Sequence, residues 1–316
     1  MAEVEALDGY HPDNVVSSPD AYAGVVGPYK FDDRVKCRLV KPNGNTCDQA
    51  HGEGWVLRLK DGSVAIVGGT CALNHFGLRS GELQRDMNLV TNVLERERAA
   101  EKLRQLLETR DSRLAEVDTT LAQVMELKAR VAQIQAKLGK LAWRALEDMG
   151  RAGDSLVRAR GVRKATYDSD GERTRDRVES EIILGSVTGV VIAKPSTIVR
   201  AAEALRDLLR TYRRADSLQP NETRSKDYKQ VNAALARHAR AIQDAAEFLE
   251  LGRLFEQNDF SILAFLIRDK VERAKLVRAA LDMRGSPVSG ESAKAWIAQA
   301  EAGLRRQHRV DLIEPY

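Results

Sequence analysis

The potential metal ligands of this chain are concentrated in one short stretch, Cys37 to His75. All three cysteines, Cys37, Cys47 and Cys71, lie in it, together with His51 and His75, two of the five histidines. Thiolate and imidazole are the ligands that tetrahedral Zn²⁺ takes in structural sites. An odd number of cysteines is not expected of a disulfide framework and indicates a reducing compartment. The stretch therefore predicts one Zn²⁺ site, and the segment must fold so that these ligands converge.

The second half of the predicted ligand set is Cys71 and His75. They are four residues apart at the start of a predicted helix, so their side chains point to one side of it. The partial positive charge of a helix N-terminus also favours a thiolate at Cys71.

The first half of the set has two alternatives. Cys37 and Cys47 flank a predicted turn, KPNGNT, and both can be ligands. Alternatively, Cys47 and His51 form a second C-x3-H pair and leave Cys37 free. The preferred set is Cys37, Cys47, Cys71 and His75, with His51 as the alternative ligand. A closed structural site is expected, because the few elements around it bury too little apolar surface to fold without the metal.

The local pattern around these residues is strand, turn, hairpin and helix. Two β-rich runs flank Asp61-Gly62, which predicts a hairpin, and Thr70 is a suitable N-cap for the helix that follows. This order, with the last two ligands on the helix, resembles a treble-clef zinc finger over residues 37–77. The first pair departs from that family, because its spacing is C-x9-C where C-x2-C is usual.

The rest of the chain is predicted to be mostly helical. Charged residues make up 30% and aromatic residues 5% of the composition, which favours long helices. Apolar residues recur in steps of three and four, which predicts a long coiled-coil helix over 81–160. Two alternatives remain: a helix of a globular bundle, and a second helix capped by Asp111-Ser112. The recurring apolar positions are Met87, Val90, Leu94, Leu103, Leu107, Leu114, Val117, Leu121, Val124, Val131 and Leu138.

The predicted fold class is mostly α, a long coiled coil or helical bundle, with an N-terminal zinc-binding β-hairpin–helix module and a small β insertion. The apolar stripe within 226–257 suits a helix that packs antiparallel against residues 103–138. Without that packing, the stripe of the long helix implies a homodimer through the coiled coil. A third strand of the insertion is expected over Val187–Ala193. The predicted segments are 1–28, a flexible arm; 29–80, the zinc module; 81–160, the long helix; 161–194, the β element; 195–284, a helical return and bundle; and 285–316, a last helix and tail.

Arginines are clustered at two places, although the net charge is only +4. Such clusters can contact phosphates, which makes them candidate nucleic-acid-binding residues. The alternative is a solvated face neutralised by nearby acidic residues. The candidates are Arg163, Lys164, Arg173, Arg175 and Arg177 around the β element, and Arg206, Arg210 and Arg213 on the following helix.

Other classes of function have little support in the sequence. No apolar run is long enough to span a membrane, and the acidic N-terminus does not resemble a signal peptide, so a cytoplasmic protein is expected. The first functional hypothesis is a non-enzymatic zinc-binding coiled-coil protein that associates with DNA or RNA. The alternative is a protein-binding adaptor or inhibitor, of phage or mobile-element origin, that acts on a host complex. A zinc hydrolase is the third, with Glu53 as its only candidate acid or base.

Overall fold

The computed structural model describes residues 2–75, 81–167, 169–219 and 222–315. These residues form a mostly α-helical protein with small antiparallel sheets. The chain divides into two compact units: a first unit of residues 1–108 and 217–232, and a second unit of residues 109–216 and 233–316.

The secondary structure elements are named in chain order. The α-helices are α1 (Ala2–Glu5), α2 (Gly69–His75), α3 (Glu82–Leu107), α4 (Arg110–Ala152), α5 (Pro195–Asp216), α6 (Ser225–Leu235), α7 (His238–Glu256), α8 (Lys270–Met283) and α9 (Gly290–His308). The strands are β1 (Tyr22–Lys36), β2 (Ala50–Leu59), β3 (Val64–Gly68), β4 (Leu156–Arg163), β5 (Thr166–Tyr167), β6 (Arg173–Arg175), β7 (Val178–Ser186) and β8 (Leu312–Pro315).

The first unit is built on an antiparallel sheet with the strand order β1-β2-β3. The predicted hairpin is present: β2 and β3 pair from Gly54–Gly68 to Arg58–Val64. Its turn is held by the Asp61 carboxylate, which accepts hydrogen bonds from the backbone N–H and the hydroxyl of Ser63. All five residues of β3 are buried, because both faces of the sheet are covered.

The sequence predicts a flexible arm over residues 1–28, but several described residues of this segment pack on the sheet. The side chain of Val16 is completely buried, and its backbone N–H donates to the carbonyl of Arg38 over 2.8 Å. Tyr10 forms an isolated bridge with Val64, and β1 begins at Tyr22. The apolar residues of this segment have no regular period, but they cover sheet surface that would otherwise be exposed.

The start of helix α3 packs into the core of the first unit, beside Val16 of the N-terminal segment. Leu83 and Met87 are buried in the same core as Cys37 and Cys71. The hydroxyl of Tyr22 donates to the Asp86 carboxylate over 2.7 Å and fixes the start of α3 to β1.

The segment predicted to be one long helix contains two. Helix α3 ends at Leu107 and α4 begins at Arg110, and α4 is itself interrupted at Gly139, whose backbone has φ 79° and ψ 172°. The predicted stripe residues Val117 and Val124 are completely buried in the core of the second unit. In α4 the stripe therefore packs into a core, as the globular-bundle alternative predicts.

The neighbours of α4 run in directions that correct one prediction. Arg110 forms a two-pronged ion pair with Asp216, so the end of α5 lies beside the start of α4 and the two helices are antiparallel. In contrast, Glu116 contacts His238 at 2.9 Å and Arg130 contacts Glu256 at 2.6 Å. Helix α7 therefore runs parallel to α4; the predicted antiparallel return over this segment is wrong, and α5 is the antiparallel neighbour.

The β insertion has the strand order β7-β4-β8, so its third strand comes from the C-terminal segment Leu312–Pro315. The expected third strand is instead a 3-10 helix, Val190–Ala193, which buries its apolar side chains in the core of the second unit. A short apolar run does not distinguish a buried strand from a buried helical turn. Strands β5 and β6 form a separate two-stranded ribbon.

None of the described helices combines the length and apolar character needed to cross a membrane.

Candidate metal centre

The three cysteines meet at one point in the first unit. Their Sγ atoms all lie within 4.8 Å of one another, and the Sγ atoms of Cys47 and Cys71 are 3.5 Å apart. Cys37 follows the end of β1, Cys47 lies in the connection to β2, and Cys71 lies in the first turn of α2. Three separate parts of the chain therefore contribute one thiol each.

A small hairpin explains how Cys37 and Cys47 come together across nine intervening residues. The backbone N–H of Cys37 donates to the carbonyl of Gln49 over 3.0 Å, and that of Cys47 donates to the carbonyl of Leu39 over 2.7 Å. The predicted turn lies at the tip of this hairpin, where Gly44 has φ 85°. Only glycine adopts this conformation at no steric cost. The pairing places both cysteines at the base of the hairpin, beside Cys71.

The surroundings of the three thiols differ. Cys37 and Cys71 are buried, whereas Cys47 is partly exposed. Burial raises the pKa of Cys37, and burial together with the neighbouring Cys47 raises the pKa of Cys71 to about 12. Burial also acts to raise the pKa of Cys47, but hydrogen bonds from the Gln49 N–H and the other two thiols outweigh it, so the pKa of Cys47 is lowered. The three cannot all be thiolates without a cation to compensate their charge.

The cluster fits a zinc ion by donor type and by size. Zn–S bonds of about 2.3 Å in a tetrahedron place two sulfurs about 3.8 Å apart. The observed separation of 3.5 Å between Cys47 and Cys71, with all three sulfurs within 4.8 Å, is close to this value. The structure thus brings together three of the four predicted ligands.

The fourth predicted ligand, His75, is the last residue of α2, and its side chain lies outside the described residues. The alternative ligand, His51, is on β2, and its Nδ1 lies 2.6 Å from the hydroxyl oxygen of Tyr29. Its ring packs against Gly68, where a Cβ would be 2.9 Å from the ring. Among the described residues, the converging group contains the three cysteines without His51.

Sequence reasoning missed one polar neighbour of the cluster, Gln49. The thiol of Cys71 donates to its side-chain oxygen over 3.4 Å. Gln49 pairs with Cys37 in the small hairpin, so its proximity depends on a turn whose register the sequence does not reveal.

A cleft of about 640 Å³ borders the cluster on the side of Cys71. Its other lining residues include Tyr29, His51, Glu53 and Arg98. Burial raises the pKa of Tyr29 and lowers the pKa of His51. At neutral pH the close contact between them is therefore a hydrogen bond between two uncharged groups.

The predicted basic cluster around the β element consists of exposed residues, and its arginines on β6 and just before β7 contact acidic side chains. Arg173 contacts Asp176 at 3.2 Å. Arg175 contacts Asp311 at 2.8 Å and also donates to the backbone carbonyl of Lys164. The remaining contact is between Arg177 and Glu179, at 2.8 Å. Arg163 and Lys164 are exposed at the end of β4 and just after it.

The predicted basic residues of α5 are also exposed. Arg210 forms an ion pair with Asp207 one turn earlier, and Arg206 donates to the sulfur of Met125 over 3.4 Å. Arg213 lies near the end of the same helix. Both basic clusters are thus at the surface of the second unit, and most of the arginines with observed contacts face a carboxylate of the same chain.

No protein-family model, curated protein or solved structure matches this chain. The treble-clef resemblance of residues 37–77 therefore stays a prediction.

Proposed function

We propose that this chain is a non-enzymatic zinc protein in which one structural Zn²⁺ closes the first unit. The observation that carries the proposal is the convergence of the Sγ atoms of Cys37, Cys47 and Cys71 within 4.8 Å of one another. Thiolates hold Zn²⁺ strongly, and three of them already supply most of a closed tetrahedral site. The ion would cross-link the end of β1, the small hairpin and the start of α2.

The position of the cluster supports a structural role. Leu39, Val67 and Ala72 share its apolar core with Leu83 and Met87 from the start of α3. Without the ion, the end of β1, the small hairpin and the start of α2 would no longer be linked to one another around this core. We therefore expect metal binding and folding of the first unit to be coupled.

For the fourth ligand we propose His75, which follows Cys71 by one helical turn. His51 is the alternative, and its use requires the ring to leave the Tyr29 hydroxyl. Gln49 is too weak a ligand for Zn²⁺ to be preferred over an imidazole.

Metal analysis of the full chain tests the proposal. We expect one Zn²⁺ per chain, and loss of that ion in Cys37→Ser, Cys47→Ser and Cys71→Ser. His75→Ala is expected to weaken binding, whereas His51→Ala and the control His11→Ala, at an exposed histidine, retain it. Full zinc occupancy in a variant lacking two of the three cysteines would contradict the proposal, and loss of zinc only in His51→Ala would reassign the fourth ligand.

For the partner of this zinc protein, the first candidate is nucleic acid, which the exposed arginines of β6, of the position just before β7 and of α5 support. Many of these arginines already face carboxylates, so phosphates would have to displace acidic side chains. We expect salt-dependent binding of DNA or RNA that weakens when Arg173, Arg175 and Arg177 are changed to Glu. Binding that is unchanged in a fluorescence anisotropy assay would remove this candidate.

The second candidate is a protein partner, so that the chain acts as an adaptor or inhibitor on a host complex. A groove between α8 and α9 supports it, because some of the cations at that groove form no ion pair with any carboxylate among the described residues. A partner that stays bound after nuclease treatment of the lysate distinguishes the second candidate from the first.

A zinc hydrolase is the least supported candidate, although Glu53 and Cys71 line the same cleft. A Co²⁺-substituted protein distinguishes it: a closed thiolate-rich tetrahedral spectrum that small anions do not change is expected of the structural site. A spectrum that shifts on addition of such anions would indicate an open coordination position and favour the hydrolase.

A further inference from the structure

An open groove runs between α8 and α9 in the second unit. Its volume is about 580 Å³. Its lining residues recur in steps of three and four on both helices, so one face of each helix forms one wall. On α8 they are Lys270, Val271, Arg273, Ala274, Lys275 and Arg278, and on α9 they are Gly290, Glu291, Lys294, Ile297, Ala298 and Glu301.

The floor of the groove is apolar. Ala274 is buried at its base, and Ile297 and Ala298 continue the apolar surface along α9. Val271 is 62% exposed although it is branched and apolar. Such a side chain at the rim of a groove offers surface for a partner to cover.

One partly buried ion pair links the two walls and neutralises one of the two acidic residues that line the groove. Arg273, whose side chain is only 12% exposed, contacts Glu301 at 2.6 Å. Its guanidinium also lies 5.4 Å from the centre of the Phe265 ring. The other acidic residue, Glu291, contacts Lys294 at 2.8 Å.

The remaining charge at the rim is positive. Among the described residues, the ion-pair partner of Lys275 is Glu272 of the same helix, and both side chains are exposed. In the part of the chain that the structure describes, no carboxylate forms an ion pair with Lys270 or Arg278. The groove thus presents an apolar floor between cations that are available to the carboxylates of a partner.

We propose that this groove binds an acidic amphipathic helix of a partner protein. The apolar stripe of such a helix would cover Val271 and Ile297, and its flanking carboxylates would face Lys270 and Arg278. This is the arrangement of helix-in-groove recognition, in which apolar anchors give affinity and rim charges select the partner. A nucleic-acid backbone would satisfy the cations but leave the apolar floor exposed, so a peptide fits the groove better. The inference goes beyond zinc binding and does not depend on it.

A displayed library of short amphipathic helices, with a fixed apolar stripe and randomised flanking positions, tests the proposal on the full chain. We expect enrichment of sequences with Asp and Glu at the flanking positions. The strongest peptide, made with a fluorescent label, is then measured by anisotropy against the wild type and three variants. The double variant Lys270→Glu, Arg278→Glu is expected to weaken binding by on the order of tenfold.

The other two variants separate the groove from general charge. Ala298→Trp fills the floor of the groove without a change of charge and is expected to weaken peptide binding. It tests the groove independently of the double charge variant, should that variant fail to fold. Lys128→Glu with Arg240→Glu makes the same change of net charge outside the groove and is expected to leave binding unchanged.

Three results would overturn the proposal. The first is enrichment without acidic residues, or no enrichment. The second is preferential binding of a labelled duplex DNA or single-stranded RNA at the groove, lost in the same groove variants. The third is a wild type that sediments as a dimer and an Ala298→Trp variant that sediments as a monomer, which would assign the groove to a second copy of the chain.

Discussion

The Sγ atoms of Cys47 and Cys71 lie 3.5 Å apart, although the two residues are 24 positions apart in sequence and belong to different elements. Cys37 completes the group from a third element. Nothing in the packing of a simple apolar core requires three thiols to meet, because each would contact aliphatic side chains equally well. The arrangement is compatible with one metal ion held by the three thiols.

This short distance predicts the product of oxidation. In the metal-free protein, diamide is expected to join Cys47 and Cys71, with both thiols losing a proton and diamide accepting two electrons. Cys37 should react more slowly, because its side chain is completely buried. Peptide mapping by mass spectrometry identifies the pair.

Protein loaded with Zn²⁺ is the control and is expected to resist diamide, because its thiolates are coordinated. A disulfide that mainly involves Cys37, or equal oxidation with and without zinc, would contradict the proposed site.

The pKa values of the thiols predict two opposite effects of a rise in pH. The affinity for zinc should increase, and the stability of the metal-free protein should decrease. Cys37 and Cys71, with raised pKa values, are protonated at neutral pH. Zinc must displace at least those two protons, so its apparent affinity should rise by about a hundredfold or more per pH unit. Competition with a chelator at several pH values measures this slope.

The metal-free fold should respond with the opposite sign. A thiol whose pKa is higher in the folded than in the unfolded chain stabilises the fold while it is protonated. That contribution of Cys71 is fully present below the ordinary thiol pKa of 9.0 and is lost as the pH rises toward about 12. Urea unfolding of the metal-free protein should therefore show lower stability in alkaline buffer, and a rise in stability over this range would contradict the pKa assignment.

The three-cysteine part of the candidate metal centre could be predicted from sequence, because the residue types that bind metals can be read directly from the chain. The thiols of Cys37, Cys47 and Cys71 do converge, and the hairpin around Asp61-Gly62 is present. The proximity of Gln49 could not be predicted, because it follows from the register of a second hairpin inside the C-x9-C interval.

The errors in the fold concern contacts between distant parts of the chain. The apolar stripe of α7 predicts that one face of this helix is buried. It does not indicate the direction of the helix, so parallel packing on α4 could not be distinguished from antiparallel packing. Strand β8 pairs with β4 across about half of the chain, and no periodicity indicates such a partner. The second-helix alternative for this segment is confirmed, but its start is at Arg110 with Thr109 as N-cap, not at Asp111-Ser112, because the apolar pattern continues on both sides of the break.

Gly139 and Gly303 form a matched pair that tests the interruption of α4. Gly139 has φ 79° and ψ 172°, a region that is open almost only to glycine, and a Cβ added there would meet no described heavy atom within 4 Å outside its own stretch of backbone. Gly139→Ala is therefore expected to lower the free energy of unfolding by about 1–3 kcal/mol through backbone strain alone.

Gly303 lies inside α9 with the same free space around it. Gly303→Ala is expected to raise the free energy of unfolding by about 0.5–1 kcal/mol, because alanine loses less backbone entropy in a helix. Urea titration measures both variants. If Gly139→Ala were as stable as Gly303→Ala, α4 would be an uninterrupted helix.

The parallel packing of α7 on α4 depends on the contact between Gly252 and Leu127. A Cβ at position 252 would lie 2.3 Å from Cδ2 of Leu127, which is completely buried. Gly252→Ala is expected to destabilise the second unit by about 1–3 kcal/mol, since the leucine must leave its rotamer or the helices must separate.

Leu127→Ala alone is expected to cost about 2–5 kcal/mol, because it leaves a cavity. In the double variant the new methyl group occupies part of that cavity, so the two costs should be less than additive by about 1 kcal/mol or more. Additive costs in urea unfolding would mean that the two residues do not touch, and the close packing assigned to α7 and α4 at this point would then be wrong.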